Sequence, residues 1–532
     1  MRGAGHRILL CRKMVTGKGQ LRHPASLLSH EAKSKCYQPH TIVRQSLLGR
    51  KLKNKRFIFC HHFSSLQTLV TFYFLLTVMN EETTKEQVES WDKQYLWHPF
   101  TQMKDFVKEE PLIIVDGSGI MLRDINGNEY IDGVSSMWCN IHGHRRKEID
   151  DAIKDQLDKV AHTTLLGMSN IPSAKLAKRL VEITPEGLNK IFYSDNGSNA
   201  IEVAIKMAFQ YWQYKGVKKK TSYVTLQYGY HGDSLGAVGV SGVEVFHAVF
   251  KPLLLKSFTT PSPYCYRCPY GKNKTSCSLE CLSKLEEILS KNSESIAAMV
   301  MEPLVQGAGG MIVHPEGYLS GVKDLCEKYN ILLIADEVLV GFGRTGKMFA
   351  CAHENVTPDI LTVSKGLNGG YMPLAATLTT DEIYNTFLGN HSEQKTFFHG
   401  HTYTGNPLAC SAALANIDIF ENEKVIEGLV PKITVLKERL EQFKELEAVG
   451  DIRQCGLIAG IELVKNRETK EPYSWEEKVG MKVCLEARQR GLIIRPLDNV
   501  LVVMPPLCIN VSQLNKMMDI LYESLEVVTG TG

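Results

Sequence analysis

The sequence predicts an α/β protein built on a largely parallel sheet. From about residue 91 the chain alternates short β-branched runs with amphipathic segments, which is the pattern of strands connected by helices. Two largely apolar runs, 331–335 and 360–363, lead into charged residues, with Asp336 and Glu337 directly after the first and Lys365 one residue beyond the second. Because open α/β sheets bind ligands at the carboxyl ends of their strands, these positions are the first candidates for a functional site.

Three regions of the fold follow from the order of the predicted elements. Residues 79–144 form the N-terminal part of a small domain, where 113–132 is typical of strands joined by glycine turns and Asn126-Gly127 indicates a hairpin. Residues 145–406 form a large domain that contains the alternating pattern, including strands at 222–226 and 297–302. Residues 407–532 complete the small domain, with a helical stretch to Leu446 and strands at 457–463 and 500–504.

The first 78 residues differ in composition from the rest. Residues 1–57 are rich in Arg and Lys with Glu31 as the only acid, and 63–79 is apolar but short for a membrane span. Three interpretations stay open: a transit-type presequence, a weak membrane anchor, or upstream sequence outside the working protein with the true start at Met79. We therefore derive the fold from residue 79 onward, where we expect no membrane association.

The overall composition is that of an ordinary soluble enzyme. A chain of 532 residues can hold two or more domains and bury a large core. The 61 basic and 58 acidic residues give a net charge of +3, which provides no global signal for nucleic-acid binding. We therefore expect no nucleic-acid partner.

Four of the fourteen cysteines cluster in a loop rich in Pro, Gly, Lys and Ser: Cys265, Cys268, Cys277 and Cys281. Their C-x2-C-x8-C-x3-C spacing supplies enough ligands for a structural zinc ion, and the alternative is a surface insertion with free or opportunistically paired thiols. We assign no metal-binding residue from this pattern. The scattered remainder, without a clean secretory signal, predicts reduced thiols in a cytoplasmic compartment, or a mitochondrial one if residues 1–78 are a presequence.

Lys365 and Asp336 have the most specific chemical meaning. A strand-end amine and a strand-end carboxylate are what a pyridoxal-phosphate enzyme needs, the amine for a Schiff base and the carboxylate for the pyridinium nitrogen. A buried ion pair, or two charges at loop edges, is the competing explanation for these two residues alone.

Other segments supply the remaining contacts for such a cofactor. Residues 196–198 (Asn196, Gly197, Ser198) precede an amphipathic stretch at 200–213, so they are predicted to cap a helix and to offer amides and a hydroxyl to a phosphate. Tyr230 and His231 follow the strand at 222–226 and place an aromatic ring and an imidazole at that strand end, and Tyr230 could stack on a flat heteroaromatic ring. The polar loop 399–407 can give another hydroxyl to the phosphate. Each segment alone fits an ordinary structural role, but together they favour the cofactor.

The motifs resemble those of the fold-type I, class III pyridoxal-phosphate aminotransferases, from about residue 91 to 528. The most specific matches are Asp336-Glu337-Val338, Gly341-Phe342-Gly343-Arg344-Thr345-Gly346 and Ser364-Lys365-Gly366. Within the class, the chain is similar to the branch that converts 8-amino-7-oxononanoate to 7,8-diaminononanoate in biotin synthesis. That narrower resemblance is carried by 97–103, 133–143, 208–212, 305–310 and Arg495-Pro496.

The resemblance implies a role for each site residue. Lys365 is the Schiff-base lysine and Asp336 the partner of the pyridine nitrogen, while Tyr230 covers the ring. Asn196, Gly197, His401 and Thr402 match phosphate-binding positions, and the 401–402 loop reaches the neighbouring subunit's cofactor, which implies a homodimer with shared active sites. The substrate channel is lined by Phe100, Met137, Trp138, Tyr230, Gly400 and Arg495. An arginine suits the distal carboxylate because its planar fork binds carboxylates bidentately, and a surface salt bridge is its alternative role.

Several positions depart from the family pattern. Phe100 stands where members that use S-adenosylmethionine as amino donor have tyrosine, which resembles the lysine-using branch, and Met137 stands where many members have tryptophan. His401 replaces a common proline. The donor is therefore lysine or S-adenosylmethionine, and the alternatives to the whole assignment are a broader ω-amino acid or diamine transaminase and a non-catalytic scaffold.

Overall fold

A seven-stranded sheet forms the centre of the fold. The structure is a computed structural model that describes residues 83–273 and 276–530. The predictions for residues 1–78 and for a start at Met79 lie outside the described residues. The strands are β1 (Ile114–Ser118), β2 (Met121–Asp124), β3 (Glu129–Asp132), β4 (Lys190–Ser194), β5 (Ser222–Leu226), β6 (Ser257–Thr260), β7 (Ile296–Met301), β8 (Val305–Gln306), β9 (Ile312–Val313), β10 (Leu332–Asp336), β11 (Ile360–Val363), β12 (Ala375–Thr379), β13 (Val449–Cys455), β14 (Ile458–Leu463), β15 (Leu492–Ile493), β16 (Arg495–Leu497) and β17 (Val500–Val503).

Helices connect most of these strands. They are α1 (Lys85–Tyr95), α2 (Met103–Phe106), α3 (Ser135–Trp138), α4 (Lys147–Leu157), α5 (Ile171–Ile183), α6 (Gly197–Tyr214), α7 (Leu235–Gly239), α8 (Glu244–His247), α9 (Glu280–Asn292), α10 (Tyr318–Lys328), α11 (Asp381–Asn385), α12 (Pro407–Asn422), α13 (Val430–Gln442), α14 (Val479–Gln489) and α15 (Val511–Thr529).

The central sheet has the strand order β4-β12-β11-β10-β7-β5-β6. β7, β10 and β11 run parallel to one another, as do β5, β6 and β7, whereas β12 is antiparallel to both of its neighbours. Alternate side chains pack on opposite faces: Val300 and Ile334 join α6 in one apolar cluster, while Met299 and Leu333 belong to another. Strands covered on both faces are continuous apolar runs, which is why the sequence located them. The predicted α/β fold with a mostly parallel sheet is confirmed.

The N-terminal strands form an antiparallel meander at the predicted hairpin. β1 pairs with β2 and β2 with β3. The Asp124 carboxylate accepts hydrogen bonds from the backbone N–H of Asn126 at 2.9 Å and of Asn128 at 2.8 Å, and Gly127 has a φ of +86°. A glycine at the left-handed position and a carboxylate that caps the turn explain why the chain reverses here.

The tail of the chain contributes strands to two sheets. β15 runs parallel to β3, so it extends the N-terminal meander, while β13, β14, β16 and β17 form a separate four-stranded antiparallel sheet. The predicted strands at 457–463 and 500–504 correspond to β14 and β17. The boundaries of a small and a large domain at residues 144 and 406 stay a prediction.

The helical stretch predicted from 407 to Leu446 is confirmed, with one break that the sequence pattern did not predict. The structure divides it into α12 and α13, which are separated by residues 423–429. Lys424 has a φ of 49° and Pro431 lies in the first turn of α13. The left-handed conformation of Lys424 interrupts the helical backbone after α12, and a proline is tolerated in the first turn of α13 because its missing N–H would have no acceptor within the helix.

The cysteine cluster and the membrane question concern particular segments. No three His, Cys, Asp or Glu side chains of residues 83–273 and 276–530 lie close enough together to share a metal ion. In the loop, Cys277 Sγ lies 3.5 Å from Glu280 Oε2, and Cys281 is buried at the start of α9. Among the helices of the described residues, none combines the length and apolar character needed to cross a membrane.

Candidate active site

Three neighbouring strands of the central sheet end at the candidate site. β7 ends at Met301 and is followed by Glu302, β10 ends at Asp336, and β11 is followed by Ser364 and Lys365. The registers place Met301 beside Ala335 and Asp336 beside Thr362. Parallel alignment therefore brings two carboxylates and one amine to the same edge of the sheet, as the sequence predicts for Asp336 and Lys365.

Asp336 is buried and held by several donors. Its Oδ2 lies 2.7 Å from Nδ1 of the buried His231, and its Oδ1 accepts from the Val338 N–H at 3.1 Å and from the Thr362 hydroxyl at 3.3 Å. His231 is a residue that sequence reasoning named only as an imidazole at a strand end. Its position directly after Tyr230 was the available signal, but nothing in the sequence indicated that it would reach Asp336.

Lys365 has an unusual backbone and a shielded amine. Its φ is 44°, in the left-handed region that non-glycine residues rarely adopt, and such strain is found mostly at functional sites. Its Nζ lies 5.1 Å from the centre of the Trp138 ring. Burial lowers the pKa of Lys365, while the carboxylates of Asp336 and Glu302 oppose the shift. The amine is therefore deprotonated more readily than an ordinary lysine.

Glu302 is a second buried carboxylate that the sequence did not single out. Its Oε2 accepts the N–H of Tyr230 at 3.0 Å and its Oε1 accepts the N–H of Gly307 at 2.8 Å. Burial raises the pKa of Glu302 to about 7, and the nearby Asp336 adds to the increase while His231 opposes it. Glu302 therefore ties the loop that carries Tyr230 to the end of β7.

Met137 and Trp138 lie in a strained turn. Ser135, Ser136 and Trp138 all have positive φ, and the Ser136 N–H donates to both oxygens of Asp132 at 2.9 and 2.8 Å. The turn approaches Gly370 so closely that a Cβ there would lie 2.8 Å from the carbonyl carbon of the residue after Trp138. These contacts place the Trp138 ring beside Lys365.

Arg495 lies next to the same turn. Its Nη1 is 4.0 Å from Met137 Sδ, and Met137 is 44% exposed. Among the ion pairs of the described residues, none involves Arg495, so the alternative of a surface salt bridge receives no support. The guanidinium is available for an acid from outside the chain.

The predicted helix cap is formed at the start of α6, where a phosphate is expected. The Asn196 side chain accepts the N–H of Asn199 at 3.0 Å, and an added Cβ at Gly197 would lie 2.6 Å from Val338 Cγ1. The Ser198 hydroxyl is occupied by Ser234, at 2.7 Å from its Oγ and 3.0 Å from its N. The amides of Gly197 and Ser198 have no acceptor within the helix, so they remain to bind an anion.

Tyr230 and Phe100 meet a residue that sequence reasoning missed. The Tyr230 hydroxyl donates to Asp233 Oδ2 at 2.8 Å, and burial together with this bond raises the pKa of Tyr230. The Phe246 ring lies edge-on to both aromatics, 6.0 Å from Tyr230 and 5.4 Å from Phe100 between centroids. Phe246 lies in the short helix α8, where its helical period gave no reason to select it.

The remaining predicted residues are only partly brought to this group. His401 Nδ1 lies 3.2 Å from Asp195 Oδ2, directly before the cap at Asn196. Thr402 and Gly400 are exposed, and no atom lies within 4 Å of a Cβ built at Gly400. Within one chain the structure therefore connects His401 with the cap and leaves Thr402 and Gly400 facing outward.

The assembled groups fit a flat anionic aldehyde of the pyridoxal-phosphate type. Two buried nitrogens at the site, His231 Nε2 and Trp138 Nε1, have no hydrogen-bond partner among the described residues. An amine, a buried carboxylate and a helix N-terminus surround the same edge of the sheet. This donor set can bond an aldehyde, balance a protonated ring nitrogen and bind a phosphate.

Comparisons with known proteins agree with this chemistry. A family model described as "Aminotransferase class-III" matches residues 104–525. The adenosylmethionine-8-amino-7-oxononanoate aminotransferase of Geobacter sulfurreducens is 54% identical over 446 residues, which cover 84% of this chain and 98% of that protein.

Solved structures give the same result. A crystal structure of the adenosylmethionine-8-amino-7-oxononanoate aminotransferase from Methanocaldococcus jannaschii has a TM-score of 0.80 and 49% identity, covering 84% of this chain and 99% of that one. An (S)-enantioselective omega-transaminase from Thermomicrobium roseum has a TM-score of 0.80 and 34% identity, covering 84% and 99%. An omega transaminase from Pseudomonas jessenii in complex with PMP has a TM-score of 0.80 and 31% identity, covering 83% and 98%.

Proposed function

The chain belongs to the class-III aminotransferase family, and from this premise we propose that it transfers an amino group to 8-amino-7-oxononanoate, with pyridoxal 5'-phosphate as its cofactor. The product is 7,8-diaminononanoate, which is used in biotin synthesis. The observation that carries the proposal is the arrangement of Lys365 and Asp336 at neighbouring strand ends, in a chain half-identical to relatives named for this reaction.

The cofactor and the protein supply different parts of the chemistry. Pyridoxal 5'-phosphate supplies, when bound, a carbon that bonds amines covalently and a ring that takes up electron density when an amine loses its α proton. The protein must hold this group, keep its ring nitrogen protonated and move one proton. These tasks fall to separate residues of the site.

Lys365 is the nucleophile and the base of the proposed reaction. Its Nζ would hold the cofactor, and as a base it would take the α proton of the donor and later return a proton to the acceptor. A base must be neutral to take up a proton. Burial lowers the pKa of Lys365 and thereby increases the neutral fraction near neutral pH.

Asp336 would pair with the protonated ring nitrogen, and His231 positions Asp336. The Asp336 carboxylate is fixed by His231 Nδ1 at 2.7 Å and by the Val338 N–H at 3.1 Å, so it does not rotate away. These donors satisfy the buried carboxylate, and its negative charge would favour a protonated ring nitrogen beside it.

The start of α6 binds the phosphate in this proposal. The amide groups of Gly197 and Ser198 point out of the helix, and the partial positive charge of the helix N-terminus favours an anion. Tyr230 covers the ring. Its hydroxyl is fixed on Asp233, which leaves its ring face for stacking.

Arg495 orients the acceptor. We assign its guanidinium to the carboxylate at the far end of 8-amino-7-oxononanoate, because no carboxylate of the described chain pairs with it. Met137, Trp138 and Phe100 supply apolar contacts for the chain between the two ends. Gly400 is proposed to complete the channel.

A homodimer completes the site in this proposal. Thr402 is exposed, as expected for a residue that binds the phosphate of the second subunit, and His401 lies between it and the cap of its own chain. We place the enzyme in the cytoplasm, with the mitochondrial matrix as the alternative if residues 1–78 are a presequence. The support for a reducing compartment is that five buried cysteines are free thiols: Cys281, Cys326, Cys351, Cys410 and Cys484.

The amino donor is tested by a half-reaction. Full-length protein loaded with pyridoxal phosphate is mixed with lysine or with S-adenosylmethionine, and the visible absorbance of the lysine-linked cofactor is followed. Phe100 lacks the hydroxyl found in S-adenosylmethionine-using members, so we expect lysine to remove the absorbance. We expect Phe100→Tyr to increase the response to S-adenosylmethionine.

The outcomes of this test separate the hypotheses. Loss of absorbance with S-adenosylmethionine alone would show that Phe100 does not determine the donor, in agreement with the names of the relatives. If the aminated protein then failed to convert 8-amino-7-oxononanoate, the proposed acceptor would be wrong. A broader ω-transaminase, to which the Thermomicrobium roseum structure points, would instead accept simple ω-amino acids.

A further inference from the structure

An aromatic row lies along one side of the proposed site. Phe246 is half-buried and touches Phe100 on one side and Tyr230 on the other, with interplanar angles of 72° and 84°. Edge-to-face contacts of this kind hold rings in fixed orientation. Phe100 is 57% exposed and has a positive φ of 50°.

The row is apolar along its length and polar only where Tyr230 meets Asp233. Phe100 and Phe246 offer no donor or acceptor, and the Tyr230 hydroxyl is occupied. The cation of the site, Arg495, is supplied from a different element, beside Met137. An apolar wall together with a separate guanidinium is complementary to a methylene chain that ends in a carboxylate.

The position of Phe246 depends on its two aromatic neighbours. The other large apolar side chains of residues 245–250 are more exposed: Val245 is 72% exposed, Val249 86% and Phe250 47%. Phe250 has the same chemistry as Phe246, four residues further on, yet it has no ring contact with Tyr230 or Phe100 among the described residues. Phe250 is therefore a matched control.

We infer that Phe246 is a specificity-determining residue, whose ring supports Phe100 and Tyr230 and with them forms the apolar wall for the methylene chain of the acceptor. The inference rests on the proposed function and adds to it the residue that measures chain length. Each methylene group that contacts the wall adds to transition-state binding, so truncation of the wall costs a long substrate more than a short one.

The test isolates the acceptor half of the reaction. Full-length protein loaded with pyridoxamine 5'-phosphate is mixed with 8-amino-7-oxononanoate, or with 6-amino-5-oxoheptanoate, which has two fewer methylene groups. Recovery of the visible absorbance gives the single-turnover rate and its half-saturating concentration, and calorimetry gives acceptor binding without turnover. No amino donor is needed.

We expect Phe246→Ala to lower the rate constant at limiting 8-amino-7-oxononanoate by roughly tenfold, mainly through weaker binding, with a smaller loss for the shorter homologue. Phe246→Leu should restore much of the preference because it restores apolar volume. Phe250→Ala should behave like the wild type with both substrates.

Two results would overturn the inference. If Phe246→Ala kept the wild-type preference for the longer acceptor, or if Phe250→Ala lost it equally, the ring would have no specific role while the proposed function stood. If the wild-type protein converted neither acceptor, the proposed function and this inference would both be wrong.

Discussion

Glu302 and Asp336 are two buried carboxylates that follow adjacent positions of neighbouring strands. The negative charge of Asp336 adds to the increase in the pKa of Glu302. The pair is surrounded by His231, Lys365 and backbone N–H groups. The raised pKa of Glu302, about 7, follows from its burial. The charge at the sheet edge therefore changes near neutral pH.

Replacement of Glu302 by glutamine is expected to lower the pH at which the lysine-linked cofactor changes its absorbance. An ionised Glu302 stabilises the protonated form of the nitrogen at Lys365, so removal of that negative charge makes deprotonation easier. The shift should be on the order of one pH unit at pH values where Glu302 is ionised. A spectroscopic pH titration of the holoenzyme measures it.

Glu337→Gln is the control for this titration. Glu337 is also buried, its pKa is likewise raised to about 7 by burial, and it accepts the N–H groups of Ala350 and Cys351. It makes no contribution to the charge at Lys365 comparable to that of Glu302. An equal shift in both variants would indicate a general structural effect rather than a local charge.

At the residue scale the sequence located the two groups with unusual chemistry and missed their neighbours. Lys365 and Asp336 stand out because an amine and a carboxylate at two strand ends are the pair that a pyridoxal-phosphate enzyme needs. His231 and Glu302 also follow strands, but their importance depends on contacts with distant residues. His231 Nδ1 lies 2.7 Å from Asp336 Oδ2, and Glu302 accepts hydrogen bonds from the N–H groups of Tyr230 and Gly307. Such distances arise only when separate strands are aligned.

Helix α6 shows how an element serves the site through its end. Its cap is packed against the segment after β10, where Val338 lies between Gly197 and Asp336. The sequence predicted this helix and its cap because polar, glycine-containing residues precede a long amphipathic run. The close approach of Val338, which makes glycine necessary at 197, could not be predicted from local pattern.

Gly197→Ala is expected to weaken cofactor binding roughly tenfold, because even small displacement of an anchoring group is costly. The added Cβ would lie 2.6 Å from Val338 Cγ1, so either the cap or Val338 must move. Fluorescence titration of the cofactor-free protein with pyridoxal phosphate measures the affinity. Val338→Ala in the same protein should recover part of the loss.

Gly428→Ala provides the comparison, because no atom lies within 4 Å of a Cβ there. It should bind the cofactor like the wild type. Should Gly197→Ala also bind normally, the start of α6 would not be the phosphate site.

The elements that the sequence predicted well are those whose environment is uniform. β5, β7, β10 and β11 are buried on both faces, so each appears as a short run dominated by apolar and β-branched residues. The division of the tail helix and the strained turn of α3 were not predicted. The turn depends on contacts with Gly370 and with the carbonyl of Met504, to which Ser135 donates at 2.7 Å, both distant in sequence.

On the scale of the whole molecule, the proposed shared active sites can be tested by mixing two inactive variants. Lys365→Ala removes the proposed nucleophile, and Thr402→Asp places a negative charge where the partner's phosphate is expected. Random exchange of subunits should then recover about a quarter of wild-type sites, since each mixed dimer of twofold symmetry contains one intact site. Aminotransfer by the mixture, measured against each variant alone, gives the result.

Activity no greater than the sum of the separate variants would contradict the sharing of residues between subunits. Both substitutions should leave folding intact, because Thr402 is exposed and alanine at 365 removes a buried charge. Circular dichroism of each variant checks this.

The parallel pairing of β15 with β3 affects how the protein is made. Leu492 lies beside Ile131, so a strand that leaves the ribosome early waits for a partner translated roughly 360 residues later. Until then one edge of β3 is open to pairing with other nascent chains. We expect newly made protein to depend on chaperones until translation ends. The side of the molecule that is proposed to bind the substrate should fold after the sheet that is proposed to bind the cofactor.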